Sequence, residues 1–384
     1  MKRRDFLLTL SGSALLAIVN PAFGGDRSNN KNQKTLIVIE LAGGNDGLNT
    51  FIPYRDSNYL RLRPTLGIKD GIPVTSTVAL NPALKDLKPL LEGNRLAIVQ
   101  NVSYPNPNLS HFRSKDIWQS GKPQGSADTG WLARYLESTN ARASEAIFLG
   151  EEYPLALTGD KGDRFLQLSL GLGVKSKGKL GQAIQAQYAV PQSNAIAESV
   201  RRTVLESDEA IKKLSKDLNQ RIANNGYAPT PIGRQFALLG RLLESSPKVL
   251  YMAIGGWDTH TRQEATQKRL LEQLGLGLSA LNRDINARGM DKNVLIMVQS
   301  EFGRRPAQNG NGGTDHGTTG PVILLGDVRS GFYGGDPKLD SLVNNNLPVV
   351  VDFRSIYSEI LNNWEKVDAK TVLGQDFPKV GFLA

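Results

Sequence analysis

Apolar residues arrive along this chain in short unbroken runs, separated by polar, glycine-rich stretches. The first reads Thr-Leu-Ile-Val-Ile-Glu-Leu over Thr35–Leu41. A run this apolar predicts a strand buried on both faces, as in a parallel sheet. Leu96–Val99, Lys248–Ile254, Asn293–Val298, Pro321–Leu325 and Val349–Asp352 predict further strands. Helical patterns fall between them: Asn81–Gly93 with Pro82 at its start, Ser110 to about Ser120 with Ser110 as N-cap, Arg262–Arg288, and Phe353–Trp364. Strand and helix in alternation predict a layered α/β fold: a three-layer sandwich with a mostly parallel central sheet and helices on both faces.

The stretch at about 150–230 breaks this rhythm. Phe165–Val174 is β-like in pieces, and a long charged helix is expected from Ser193 to Asn224. Ile196, Val200, Val204, Ile211, Leu214, Leu218 and Ile222 give that helix an apolar stripe at helical spacing. Such a stripe packs on the body of a fold; a lid over the active site is the sharper alternative. No internal repeat is present. The expected organisation is one domain over 35–384 with a helical insertion at about 150–230.

The first residues change the address. Lys2, Arg3 and Arg4 precede a mostly apolar stretch, Phe6–Val19, that is too short for a membrane span. Ala22-Phe23-Gly24 offers small residues before a cut, so 1–24 reads as a cleaved signal and 25–34 as a polar, flexible leader. Arg3-Arg4-Asp5-Phe6-Leu7 has the form of a twin-arginine signal, which implies the twin-arginine export machinery as a partner and a periplasmic or extracellular destination. No stable membrane span is expected after cleavage.

Loss of Lys2, Arg3, Arg4 and Asp5 lowers the formal charge from +9 to +7. No dense basic block or nucleic-acid motif accompanies it, so nucleic acid is not an expected partner. The balance suits a small anionic ester or an envelope polymer. There is no cysteine, which excludes disulfides, a thiolate nucleophile and a cysteine zinc site.

The chemistry gathers at predicted strand ends, where α/β sheets bind ligands. Asn45-Asp46 follows the first strand, and Ser110-His111 and Arg113 follow the second. Asp258 and His260 follow the third, Glu301, Arg304 and Arg305 the fourth, and Asp315-His316 precede the fifth. Asp46, Asp258, Glu301 and Asp315 can supply hard anionic oxygens, and His260 and His316 neutral nitrogens. Such a mixed set suits a divalent metal: zinc, manganese or iron, or calcium where the histidines stay outside its ligand shell. Ser110 at a helix start can meet a phosphoryl or sulfuryl group, and Arg113 and Arg304 can clamp its oxygens. Plainer roles compete. Asp46 fits a turn residue, Ser110 a simple N-cap, and His111 serves hydrogen bonding as readily as catalysis.

Five stretches carry a family resemblance: Gly43–Thr50, Ser110–Ser114, Gly255–His260, Ser300–Arg304 and Gly313–Gly317. Together they resemble the bacterial domain of unknown function 1501 family, from about Thr35 to the C-terminus. That family is similar in turn to the alkaline phosphatase and sulfatase superfamily. The resemblance implies an alkaline-phosphatase-like sandwich, divalent metals at the sheet edge and a nucleophile at a helix start. It implies Ser110 as nucleophile, Asp258 and His260 as a ligand pair and His316 as a late ligand. Departures accompany it. Asp46 is displaced from the strand end into the loop, Phe302 stands where a histidine is expected, and Ser110 lacks the context for formylglycine. These leave open a one-metal site or a site that binds without turnover. The leading expectation is an exported metal-dependent hydrolase of phosphate or sulfate esters. The alternative is a non-catalytic envelope or polysaccharide-binding protein; an assembly factor is a third.

Overall fold

The computed structural model describes residues 33–160, 162–163, 165–168, 198 and 221–383. The export segment 1–24, nearly all of the leader and most of the helix expected at 193–224 lie outside them; residues 221–225, its last turn, are helical. Of the run expected at 165–174, Leu166–Leu168 forms a strand and the rest lies outside the described residues.

Among the described residues, a nine-stranded sheet organises the molecule. Its strands in chain order are β1 (Thr35–Leu41), β2 (Leu96–Ser103), β3 (Ala146–Leu149), β4 (Leu166–Leu168), β5 (Val249–Ile254), β6 (Val294–Gln299), β7 (Gly320–Leu325), β8 (Gly331–Tyr333) and β9 (Val351–Asp352). Across the sheet they run β8-β2-β7-β6-β1-β5-β3-β4, with β9 also on β2. Every residue of β1 is buried, as its apolar run requires. β1 pairs in parallel with β5 and β6, β3 with β4 and β5, and β2 with β8 and β9. Among these strands only β7 is reversed, antiparallel to both β6 and β2. The carboxyl ends of β1, β2, β5 and β6 therefore share one edge with the beginning of β7.

Alternation along the strands sorts two cores. Ile37, Ile39, Ile98, Met252 and Ile296 face the cluster that includes Phe236, Leu239, Leu274 and Leu278. Those residues come from α3 (Pro231–Leu242) and α4 (Gln263–Ala287). Leu36, Val38, Val99, Tyr251 and Met297 face the opposite cluster. It is built by α1 (His111–Ser120), α2 (Trp131–Ser138) and α5 (Phe353–Glu359). The fold is a three-layer α/β sandwich, and each fully buried Leu or Ile side chain contributes roughly 1.5–3 kcal/mol to it.

Local differences from the expected pattern have local causes. The expected helix Asn81–Gly93 is a 3-10 turn, Pro82–Leu87, followed by an α-turn, Lys88–Glu92. Pro89 has no N–H to continue the ladder. The last expected helix keeps α geometry only to Glu359 and goes on as a π-helix over Ile360–Glu365. α2 and α3 have no counterpart in the expected pattern. α3 carries a legible start: Thr230 caps the amide of Gly233, and Pro231 follows it.

Candidate metal centre

The loop after β1 begins with Gly43 at φ 126°. A Cβ there would stand 2.3 Å from the amide nitrogen of Asp258. Glycine is what lets the loops after β1 and β5 touch. Arg304 then fastens them. Its Nε donates to the Gly44 carbonyl at 2.8 Å, and its Nη1 to the Thr314 carbonyl at 2.8 Å. Its Nη2 meets the carbonyls of Gly43 and Trp257 and, at 2.7 Å, Asp258 Oδ1. The guanidinium is fully buried. It clamps the protein's own loops and holds Asp258 in place.

Three histidines meet around Asp258. His111 opens α1. Its Nδ1 lies 2.8 Å from Glu301 Oε1, which also accepts from the Gly43 amide at 2.9 Å. A carboxylate there leaves the proton on Nδ1 and a lone pair on Nε2. That Nε2 is buried without a hydrogen-bond partner, 3.4 Å from Asp258 Oδ2. His316 repeats the arrangement. Its Nδ1 donates to the Leu109 carbonyl at 2.8 Å, and its Nε2 stands 3.2 Å from Asp258 Oδ1 and 2.9 Å from His260 Nε2. His260 in turn has its Nδ1 3.4 Å from Asp315 Oδ1. One ligand atom from each of His111, Asp258 and His316 lies within 4.8 Å of the others. Phe302 floors the group, with its ring centroid 4.4 Å from that of His316 and 4.8 Å from that of His111.

Electrostatics follow the contacts. Part-burial raises the Asp258 pKa, but the hydrogen bond from Arg304, together with the contacts to His316 and His260, outweighs it and brings the carboxyl down to about 2. The bond to Glu301 raises His111 above the ordinary histidine value, against the pull of burial. Burial lowers His316, with the Leu109 and Asp258 contacts opposing it. The bond from Asn309 lowers Asp315.

An orphaned, buried imidazole nitrogen aimed at a carboxylate is a polar cost that a cation would remove. Two or three imidazoles and one carboxylate suit zinc, manganese or iron. Glu301, the Leu109 carbonyl and Asp315 each engage the far nitrogen of one histidine, as outer partners of metal-binding histidines do.

The expected residues thus divide. Asp258, His260 and His316 converge as ligand candidates, and His111, expected in a catalytic role, stands with them. Glu301 and Asp315 stand behind histidines. Asp46 stays apart. It caps the helix Gly47–Thr50, and its Oδ2 accepts from Arg63 Nη1 and Gln263 Nε2, both at 2.5 Å, with carboxylate and guanidinium buried. Arg113 turns away, donating to the carbonyls of Pro123 and Gly125 at 3.3 and 3.2 Å. Ser110 is exposed at the start of α1, and its side chain makes no cap bond. The Leu109 carbonyl leaves no trace in sequence, since every residue carries one. The reversal of β7 is what carries His316, which precedes that strand, to the carboxyl edge of the others.

A family model described as "Protein of unknown function (DUF1501)" matches residues 96–376. The chain belongs to this family. The DUF1501 match includes His111, Asp258, His260 and His316, while the Gly43–Thr50 stretch lies ahead of it. No curated protein matches the chain. Among solved structures, it is similar to a sulfatase from Pseudoalteromonas sp., at 10% identity over 88% of this chain and 73% of that one, TM-score 0.38. It is similar to the lipoteichoic acid synthase LtaP from Listeria monocytogenes, at 9% identity over 95% and 79%, TM-score 0.37. A protein in the alkaline phosphatase superfamily from Vibrio parahaemolyticus matches at 11% identity over 83% and 70%, TM-score 0.36. Among the described residues, no helix is long and apolar enough to cross a membrane.

Proposed function

We propose that this DUF1501 protein is an exported, metal-dependent hydrolase of phosphate or sulfate esters. The observation that carries the proposal is the unpartnered Nε2 of His111, aimed at Asp258 beside the Nε2 of His316. His111, Asp258 and His316 would hold one divalent ion, with His260 at its side. Such an ion supplies Lewis-acid polarisation of an ester oxygen when bound.

The chain's own groups do the rest. Glu301 and the Leu109 carbonyl keep the lone pairs of His111 and His316 turned inward. Arg304 keeps Asp258 ionised. Asp258 is 47% exposed, so the group opens to solvent on one side. Ser110 adjoins it at the start of a ten-residue helix whose first-turn amides lack a side-chain cap; these favour the negative oxygens of an ester. The Ser110 hydroxyl attacks phosphorus or sulfur and releases its proton to solvent. The ester bond breaks, the leaving alkoxide takes up a proton, and water then cleaves the seryl ester. The twin-arginine pattern at Arg3-Arg4 supports export.

One observation favours the non-catalytic alternative. Arg304 spends its donors inside the protein and Arg113 faces the other way, so neither stands free as an oxyanion clamp. The deciding experiment is metal analysis of chelator-free mature protein, then assay of aryl phosphate and aryl sulfate. Near-stoichiometric zinc, manganese or iron, lost in Asp258→Ala together with activity, is the expected result. Calcium alone, or no hydrolysis by the metal-loaded protein, would leave the binding protein.

A further inference from the structure

Beside the metal centre, on the β2–β7 side of the same sheet edge, lies a small half-open pocket. Gln100, Asn101, Thr319, Pro321 and Leu347 line it, and Arg304, whose guanidinium holds Asp258, forms part of its wall. Gln100 and Asn101 are consecutive in β2, and in a regular strand they would face opposite sides of the sheet. Asn101 instead adopts φ 56°, and the pairing of β2 with β7 shifts there, between Gly320 and Val322. This kink turns both carboxamides toward one loop. Gln100 Nε2 donates to the Gly335 carbonyl at 3.3 Å. Asn101 Nδ2 donates to the carbonyls of Gly334 and Gly335 at 3.1 and 2.9 Å.

Both amide nitrogens are therefore committed, while both amide oxygens have no hydrogen-bond partner among the described residues. The Thr319 hydroxyl has none either. Yet Gln100, Asn101 and Thr319 are only 4%, 5% and 5% exposed. These oxygens are not fully enclosed, and as unpartnered acceptors in a pocket they can take donors from a ligand. The pocket's own chemistry narrows the choice. An anion finds the acceptor oxygens, while the Arg304 donors in the wall are already spent on the protein's own loops. An ammonium finds the acceptors but also the buried Arg304 guanidinium in the wall. Neutral hydroxyl groups meet neither objection, and Pro321 and Leu347 offer apolar surface to the carbons that bear them.

We infer that this pocket is a subsite for the hydroxyl-bearing edge of a neutral sugar or polyol unit. The inference deepens the hydrolase proposal and, as a substrate subsite, rests on it: the ester group would lie at the metal centre and the neutral unit across Arg304.

The test is an NMR titration of the mature full chain, with zinc and after chelation, against D-glucose, D-galactose and N-acetylglucosamine. Glucosamine and glucuronate serve as the charged comparisons. The neutral sugars should bind at about millimolar affinity in both metal states, better than either charged sugar. Thr319→Val, which keeps the side chain's shape and removes an otherwise unused hydroxyl, should weaken binding roughly fivefold. Absence of sugar binding, equal binding by Thr319→Val, or preference for glucuronate would overturn the subsite and leave a pocket for water. Sugar binding without ester hydrolysis by the zinc-loaded chain would sink the hydrolase and spare the subsite. Aryl ester hydrolysis without sugar binding would do the reverse.

Discussion

Glu301 shows how one side chain changes meaning between sequence and structure. As a carboxylate closing a strand it reads as a metal ligand. In the fold its Oε1 meets His111 Nδ1 at 2.8 Å and the Gly43 amide at 2.9 Å, so it orients a ligand. Outer partners of this kind typically account for about 10–100-fold in metal affinity. Glu301→Ala should therefore weaken zinc binding by about that factor in a competition titration while leaving residual binding. Asp46→Asn should leave zinc affinity unchanged, because Asp46 serves Arg63, Gln263 and a helix cap instead. Equal loss in both variants would place Asp46 at the metal. His111 underlines the same lesson. Its residue type and helix-start position were legible, but a ligand role follows only from a buried, unpartnered Nε2.

At the scale of elements, close approach of loops decides the site. Gly43→Ala would combine a left-handed φ with a Cβ 2.3 Å from the Asp258 backbone. A cost of roughly 3 kcal/mol is expected from strain and overpacking together, read as a lower urea midpoint, with metal affinity falling alongside. The C-terminal π-helix gives a second prediction. Glu365 ends it, accepts from Tyr135 Oη at 2.6 Å, and has a buried Oε1 without a hydrogen-bond partner. Burial pushes its carboxyl up from 4.5 to about 7, against the Tyr135 bond and the charges of Lys34 and Lys248. The folded state then holds a proton that the unfolded chain has already released. The associated stability is fully present below the unfolded pKa and is lost as pH rises through about 7. Glu365→Gln should remove this slope, becoming more stable relative to the parent by on the order of 2 kcal/mol between pH 5 and 8. Parallel stability profiles for the two proteins would count against the protonated Glu365.

For the whole molecule, the metal should report itself through folding. His111 comes from the start of α1, Asp258 from the loop after β5 and His316 from just ahead of β7, so an intact site exists only in the folded chain. An ion that binds the native state alone stabilises it by about 2.7 kcal/mol at a hundredfold excess over its dissociation constant. Zinc should raise the melting temperature of the parent and leave that of Asp258→Ala unmoved. A similar rise in both would point to zinc held elsewhere.

Much of the layered fold was present in linear pattern. Uninterrupted apolar runs such as Thr35–Leu41 require burial on both faces, and strand–helix alternation supplies the covering layers; both are local properties of the chain. The polar groups destined for the sheet edge were also visible, because loops after strands must end there. Other features depended on partners far apart in sequence. No local pattern says that β7 runs backward, and without that reversal His316 would lie at the opposite edge. No local pattern says that Arg304 faces five acceptors from three loops, that Arg63 claims Asp46, or that Asn101 turns beside Gln100. Periodicity and strand ends are short-range, so the linear pattern alone was enough to bring these groups to the sheet edge. Which of them point at one another follows from the folded arrangement, because it depends on strand direction and on hydrogen bonds between loops distant along the chain.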